Sequence, residues 1–192
     1  MSRTAGGKKK VRWILTIVIA ALIVGGGYLF LQMQQSDQKA REVMKVMEDL
    51  IPGLTEESSG TSSGVGRDPL AALSIEGIDI VGCLDIPKLN LRVPVTGKEL
   101  EQPFFATWVS GSPVQGTFRI TGGRDDTFRN LSKTKPGDSV TFTDVDGVRY
   151  EYEVTTQYHL KEWAEADNDL LLCYPTDDQT DFVVGCTVKT EE

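Results

Sequence analysis

Hydrophobic and polar positions divide the chain into three textures. Residues 13–31, WILTIVIAALIVGGGYLFL, carry no charged side chain. Nineteen residues rising about 1.5 Å each reach roughly 28 Å, close to the hydrocarbon thickness of a bilayer. The next stretch, 32–51, changes to helical spacing, with Val43, Met44, Met47, Leu50 and Ile51 recurring at three and four. Pro52 and Gly53 end it. This pattern fits a stalk or a packing helix. Residues 55–68, TEESSGTSSGVGRD, have no periodicity and read as a flexible linker.

From about Leu70 the period shortens to two. IVGCLDI (80–86), LNLRVPV (89–95) and GTFRIT (116–121) are short β-prone runs. The clearest local signal is SVTFTDV (139–145), then Asp146 and Gly147, then VRYEYEV (148–154). There Val148, Tyr150, Tyr152 and Val154 alternate with Arg149, Glu151 and Glu153, and Asp-Gly suits a tight primed hairpin turn. Segments 169–174 and 181–189 add two strands joined by the polar loop PTDDQT. A brief helical piece is expected around 126–131. Seven or eight short strands make an antiparallel barrel or sandwich, and the pattern alone does not choose between them.

Charge changes the reading of the first segment. The net charge is −8, yet Arg3, Lys8, Lys9, Lys10 and Arg12 make residues 1–12 purely basic. The remainder then holds 15 basic against 28 acidic groups, a balance of −13. An acidic body argues against nucleic-acid binding, which needs a basic face. Basic residues before an apolar span place 1–12 in the cytoplasm and 32–192 outside. A cleaved signal peptide fits less well. Its apolar region is usually about 7–15 residues, and Tyr28, Leu29, Phe30 and Leu31 make a poor cleavage site. The expected organisation is a basic tail (1–12), a transmembrane helix (13–31), an amphipathic stalk helix (32–51), a Ser/Gly-rich linker (52–69) and an extracytoplasmic β domain (70–192).

Candidate chemistry is sparse. The three cysteines, Cys83, Cys173 and Cys186, imply no disulfide framework, and with the single His159 they supply too few soft ligands for structural zinc. No cofactor is expected. Asp125–Asp126 and Asp177–Asp178 offer oxygen ligands of the kind Ca²⁺ takes, but also read as solvated loop charge. Cys173, in DLLLCYP at the end of an apolar strand, is a candidate nucleophile; a buried apolar cysteine is the plainer alternative. His159 lies 14 residues upstream and could meet it only through the fold.

Several motifs resemble the sortase family, of class D or a class B-like kind. GCLDIPKLNLRVPV (82–95) is similar to its opening Gly-x-Leu-x-Ile-Pro-Lys-x-x-Leu-x-x-Pro-Val. TGGRDDTFRNL (121–131) is similar to Thr/Ala-Gly-His-Arg-Asp-x-x-Phe-x-x-Leu. KPGDSVTFTDVDGVRYEYEV (135–154), LLLCYP (170–175) and FVVGCTV (182–188) follow in family order. The resemblance implies a β-barrel and a membrane-anchored transpeptidase of Gram-positive cell surfaces. In such enzymes a Cys thiolate attacks the carbonyl of a Leu-Pro-x-Thr-Gly-like sorting signal, and the acyl group passes to an amine on peptidoglycan or a pilin. The implied partners are therefore the membrane and the sorting-signal peptides of surface proteins or pilins.

Cys173 matches the family nucleophile. The family His falls on Gly123, the Arg on Asp181 and the Thr before the Cys on Leu172. No Lys or Arg occurs between Lys161 and Lys189, so a stand-in from that stretch is not expected. His159 and Arg124 are the remaining substitutes. A missing oxyanion donor costs about 10²–10³ in rate and a missing general acid about 10²–10⁴. The expectation is a degenerate sortase that keeps Cys173 and a peptide groove. Two alternatives stand beside it: an active cysteine transpeptidase with a rearranged site, and a structural or accessory cell-envelope domain.

Overall fold

A computed structural model of the chain describes residues 37–51, 54, 68–97, 104–160, 168–176 and 180–189. The expected cytoplasmic tail, transmembrane helix and most of the linker lie outside these residues. Among the described residues no helix is long and apolar enough to cross a membrane.

Helix α1 (37–50) is followed by nine strands: β1 (Leu73–Ile75), β2 (Ile78–Ile86), β3 (Leu91–Thr96), β4 (Ala106–Ser110), β5 (Phe118–Thr121), β6 (Ser139–Asp144), β7 (Arg149–Leu160), β8 (Leu170–Pro175) and β9 (Asp181–Val188). Their order in the sheet is β1-β2-β3-β4-β5-β8-β9-β7-β6, and β6 pairs back onto β2. Eight strands, β2 to β9, thus close into a barrel with β1 on its flank. Closure depends on Gly82. A Cβ there would lie 2.6 Å from Cζ of Phe142 and against the Thr143 carbonyl, so only glycine lets β2 approach β6.

The expected antiparallel barrel needs one correction. Two of its seams, β3–β4 and β5–β8, are parallel. Both join strands separated by long excursions, and hairpin signals reveal only local partners. Strand β4 is an additional strand, set between Pro103 and Gly111-Ser112-Pro113. The 126–131 segment is turn, with a 3-10 turn at Leu131–Lys133, rather than α-helix.

The β6–β7 hairpin keeps the predicted alternation: Tyr152 and Val154 are fully buried while Arg149, Glu151 and Glu153 are exposed. Its turn is one residue longer than a two-residue primed loop. Asp144 N–H donates to the Val148 carbonyl at 3.0 Å, and Gly147 takes the left-handed φ of 84°. The Asp144 carboxylate accepts from the amides of Asp146 and Val148, at 3.0 and 2.8 Å. Burial raises its pKa above the ordinary 3.8 despite these bonds.

The barrel interior is packed by Leu84, Ile86, Phe118, Ile120, Phe142, Tyr152, Leu170, Leu172 and Val184, among others. A second cluster lies outside the barrel wall, where Ala40, Val43, Met47 and Ile51 meet Ile75, Ile78, Ile80, Cys83 and Phe105. Helix α1 therefore packs on the barrel, one of the two roles its pattern allowed. Leu50, counted on the apolar stripe, is 57% exposed. Arg92 on β3 fastens the helix end: it donates to the Leu54 carbonyl and pairs with Glu48 at 3.4 Å.

The Tyr152 hydroxyl is buried in the core with no hydrogen-bond partner. Removing an unpaired buried polar group relieves a desolvation cost of about 1–3 kcal/mol. Tyr152→Phe is therefore expected to leave the melting temperature unchanged or raise it, whereas Phe142→Ala in the same core should cost about 3–5 kcal/mol; thermal denaturation compares the two.

Candidate active site

Strand β8 is bonded on both edges, to β5 in parallel and to β9 in antiparallel register. Alternate residues therefore face opposite sides. Leu170 and Leu172 point into the barrel core. Leu171 and Cys173 point outward, into a small cluster with Val183, against which Tyr158 and Leu160 pack. Leu172, at the position of the family Thr, is thus a core residue.

The ladder builds a transverse row on this outer face. Thr96 pairs with Thr107, Thr107 with Thr121, Thr121 with Cys173, Cys173 with Val183, and Val183 with Tyr158. Thr96 Oγ1 bonds Thr107 Oγ1 at 3.3 Å, and Thr121 Oγ1 donates to the Cys173 carbonyl at 3.2 Å. Three hydroxyl residues from β3, β4 and β5 thus lead up to one thiol, with apolar and aromatic groups beyond it.

Cys173 lies within β8, two residues before its end, and its side chain is fully buried. The thiol approaches the Ile120 carbonyl at 3.4 Å. Burial pushes its pKa from 9.0 up to about 12; the Thr121 hydrogen bond and Arg119 oppose this, while the Asp181 charge adds to it. A thiol so placed is a poor nucleophile at neutral pH.

Asp181 opens β9 opposite Pro175 and shares the outer face with Cys173, one alternation along. Gly123 follows Gly122, whose N–H donates to the Cys173 carbonyl at 3.0 Å, so the TGG segment runs beside the nucleophile's backbone. A Cβ on Gly123 would meet the Asp126 carboxylate, with Cγ at 2.6 Å. That carboxylate is held by the Thr127 amide. A side chain at Gly123 would require the Asp126 carboxylate to turn aside.

The two suggested substitutes fare differently. His159 lies on the other face of the sheet. A bulge between Val154 and Thr156 inserts one residue into β7 and reverses its alternation, so Tyr158 and Leu160 turn toward Cys173 while His159 pairs with Phe182. The His159 and Phe182 rings meet edge-on at 5.4 Å, and Phe182 belongs to the barrel core. Arg124 sits in the turn after Gly123 and reaches Asp125 at 3.9 Å. Of the acidic pairs considered for Ca²⁺, Asp177–Asp178 lies outside the described residues. Among the described residues no group of three or more His, Cys, Asp or Glu side chains gathers.

One residue escaped the sequence reading. Arg119 on β5 pairs with Leu171, two positions from the Thr121–Cys173 pair, and so shares the outer face with the thiol. Searching only the stretch between Lys161 and Lys189 missed it, because a parallel neighbour can come from anywhere in the chain. The alternation of FRIT, polar at Arg119 and Thr121, was its only sequence signal.

An eight-stranded barrel with a cysteine on its outer wall, flanked by strands joined in this order, defines the class. A sortase-domain family profile matches residues 84–190, more than half of the chain, and the chain belongs to the sortase family. The fold is similar to that of sortase A from Corynebacterium diphtheriae, with a TM-score of 0.52 and 18% identity over 60% of this chain and 63% of that one. It is also similar to sortase C1 from Streptococcus agalactiae, with a TM-score of 0.52 and 18% identity over 83% of this chain and 90% of that one. The chain thus spans less than two thirds of the first of these proteins. No curated protein sequence matches it.

Two predictions follow from the local packing. Gly123→His should leave the melting temperature nearly unchanged, because the Asp126 carboxylate is the movable end of a half-buried side chain and can turn aside, and adding Asp126→Ala should change it no further. Burial raises the thiols of Cys83, Cys173 and Cys186 alike from 9.0 to about 12. The folded chain then holds protons that the unfolded chain releases between pH 9 and about 12, so stability falls as pH rises through that window. The urea midpoint should drop between pH 8 and pH 10, and drop less in Cys186→Ala.

Proposed function

We propose that this is a membrane-anchored, extracytoplasmic member of the sortase family that binds sorting-signal peptides and turns them over inefficiently. The single observation that carries the reading is the surrounding of Cys173. The thiol is fully buried beneath Tyr158 and Leu160, with Asp181 on its own face. Transpeptidation needs a thiolate, a proton donor for the leaving amine and a positive group for the oxyanion. Here Gly123 and Asp181 stand where the family places the second and third. The uncharged span at residues 13–31, preceded by five basic residues, supports the anchor and its orientation. Membership of the sortase family, whose members act on sorting-signal peptides, supports the peptide partner.

A second reading, an active transpeptidase with a rearranged site, is favoured by Arg119. It supplies a cation from β5 on the face where the family's own arginine is missing. His159 gives this reading no support, because the sheet separates it from the thiol.

Intact mass spectrometry of the full chain in detergent micelles, incubated with a Leu-Pro-x-Thr-Gly peptide, separates the readings. The expected outcome is saturable peptide binding, by fluorescence anisotropy, with no acyl adduct on Cys173. Gly123→His/Asp126→Ala/Asp181→Arg should then produce an adduct, and more of it than either replaced position alone, since catalytic groups act as a unit. A wild-type adduct abolished by Cys173→Ala supports the rearranged enzyme. No binding and no adduct in any form supports an accessory domain.

A further inference from the structure

We propose that Arg119 is the positive group of this site, set to favour the Cys173 thiolate from β5 and so to offset Asp181 on β9. The inference rests on reading Cys173 as the centre of the site. Its first support is register. In the β5–β8 ladder Arg119 stands opposite Leu171 and Thr121 opposite Cys173, and in the β8–β9 ladder Asp181 stands opposite Pro175. Leu171, Cys173 and Pro175 are alternate residues of one strand, so Arg119 and Asp181 occupy the same face at opposite corners around the thiol.

Diagonal neighbours across two strands are roughly 7–8 Å apart at the backbone, well within the reach of an arginine side chain. The second support is the enclosure. Leu171, Val183, Tyr158 and Leu160 surround the thiol, and a charge placed against a desolvated group acts more strongly than one in water. The third is that Arg119 opposes the upward push on two groups of this face, Cys173 and Tyr158.

Among the described residues, the charged and titratable groups on the Cys173 face of these strands are Arg119 from β5, Asp181 from β9 and Tyr158 from β7. In the family pattern the positive charge comes from the last strand. Here the sign at that position is inverted, and the cation stands on the strand at the other side of β8. Moving the charge across β8 shifts the point at which an acyl oxyanion would be met toward the Thr121 side. A peptide bound here would lie with its reacting carbonyl against β5.

The test reads the thiol itself and needs no peptide. The full chain carrying Cys83→Ala and Cys186→Ala, in detergent micelles, is alkylated with iodoacetamide from pH 7 to pH 11 and followed by intact mass. Arg119→Gln should move the midpoint up and slow alkylation of Cys173 at a fixed pH below it, by a smaller factor than Asp181→Asn speeds it. Arg119→Lys should restore the rate to within about threefold. Asp181→Asn should change it in the opposite direction, faster and with a lower midpoint. An unchanged midpoint in Arg119→Gln, or a rate in Arg119→Lys as slow as in Arg119→Gln, overturns the proposal. If Arg119→Gln fails to fold by circular dichroism, Arg119→Met, which keeps the apolar stem, takes its place under the same criteria. Failure of peptide binding would sink the peptide-site reading alone and leave the thiol titration to decide the role of Arg119.

Discussion

Everything at the candidate site follows from the double burial of β8. The strand is hydrogen-bonded along both edges and covered on both faces, by the barrel core on one side and by Tyr158, Leu160 and Val183 on the other. A strand so placed admits only apolar or small side chains, and LLLC supplies them. The same burial that makes β8 a good structural element raises the pKa of Cys173. Reactivity then depends on what its neighbours put within reach of the sulfur. Around this thiol stand a carboxylate, Asp181, on β9 and a cation, Arg119, on β5.

Much of the barrel was legible because its strands are short, alternating and punctuated by turn residues. Tyr150, Tyr152 and Val154 could be assigned a face from period two alone. The parallel seams were not legible, because nothing local marks which distant strand will lie alongside β5. The place of His159 was hidden for a sharper reason. One extra residue at Thr155 reverses the inside and outside of everything after it in β7. No composition signal distinguishes TTQYH with a bulge from TTQYH without one. Arg119 was overlooked for the complementary reason: its neighbourhood with Cys173 exists only across the parallel β5–β8 seam.

Gly123 and Asp181 each stand in a defined setting. The Asp126 carboxylate fills the space above Gly123 and is tied to the Thr127 amide. Asp181 shares its face with Arg119, so both signs of charge stand around the thiol. The thiol, enclosed and bracketed by opposite charges, is the feature that any functional account must explain.

The clamp formed by Arg92 on the end of α1 bears on how the chain is divided. Val43, Met47 and Ile51 cover Ile75, Ile78, Ile80 and Phe105, and Cys83 lies among them, 3.9 Å from the Met44 sulfur. The helix is thus a lid on an oily wall of the barrel, and the cooperative unit includes it although a polar linker separates the two in sequence. A shortened chain beginning at residue 70 would keep every strand yet present that wall, with a free thiol at its centre, to solvent. Such a fragment would associate with itself through the bared surface, which the helix covers in the intact chain.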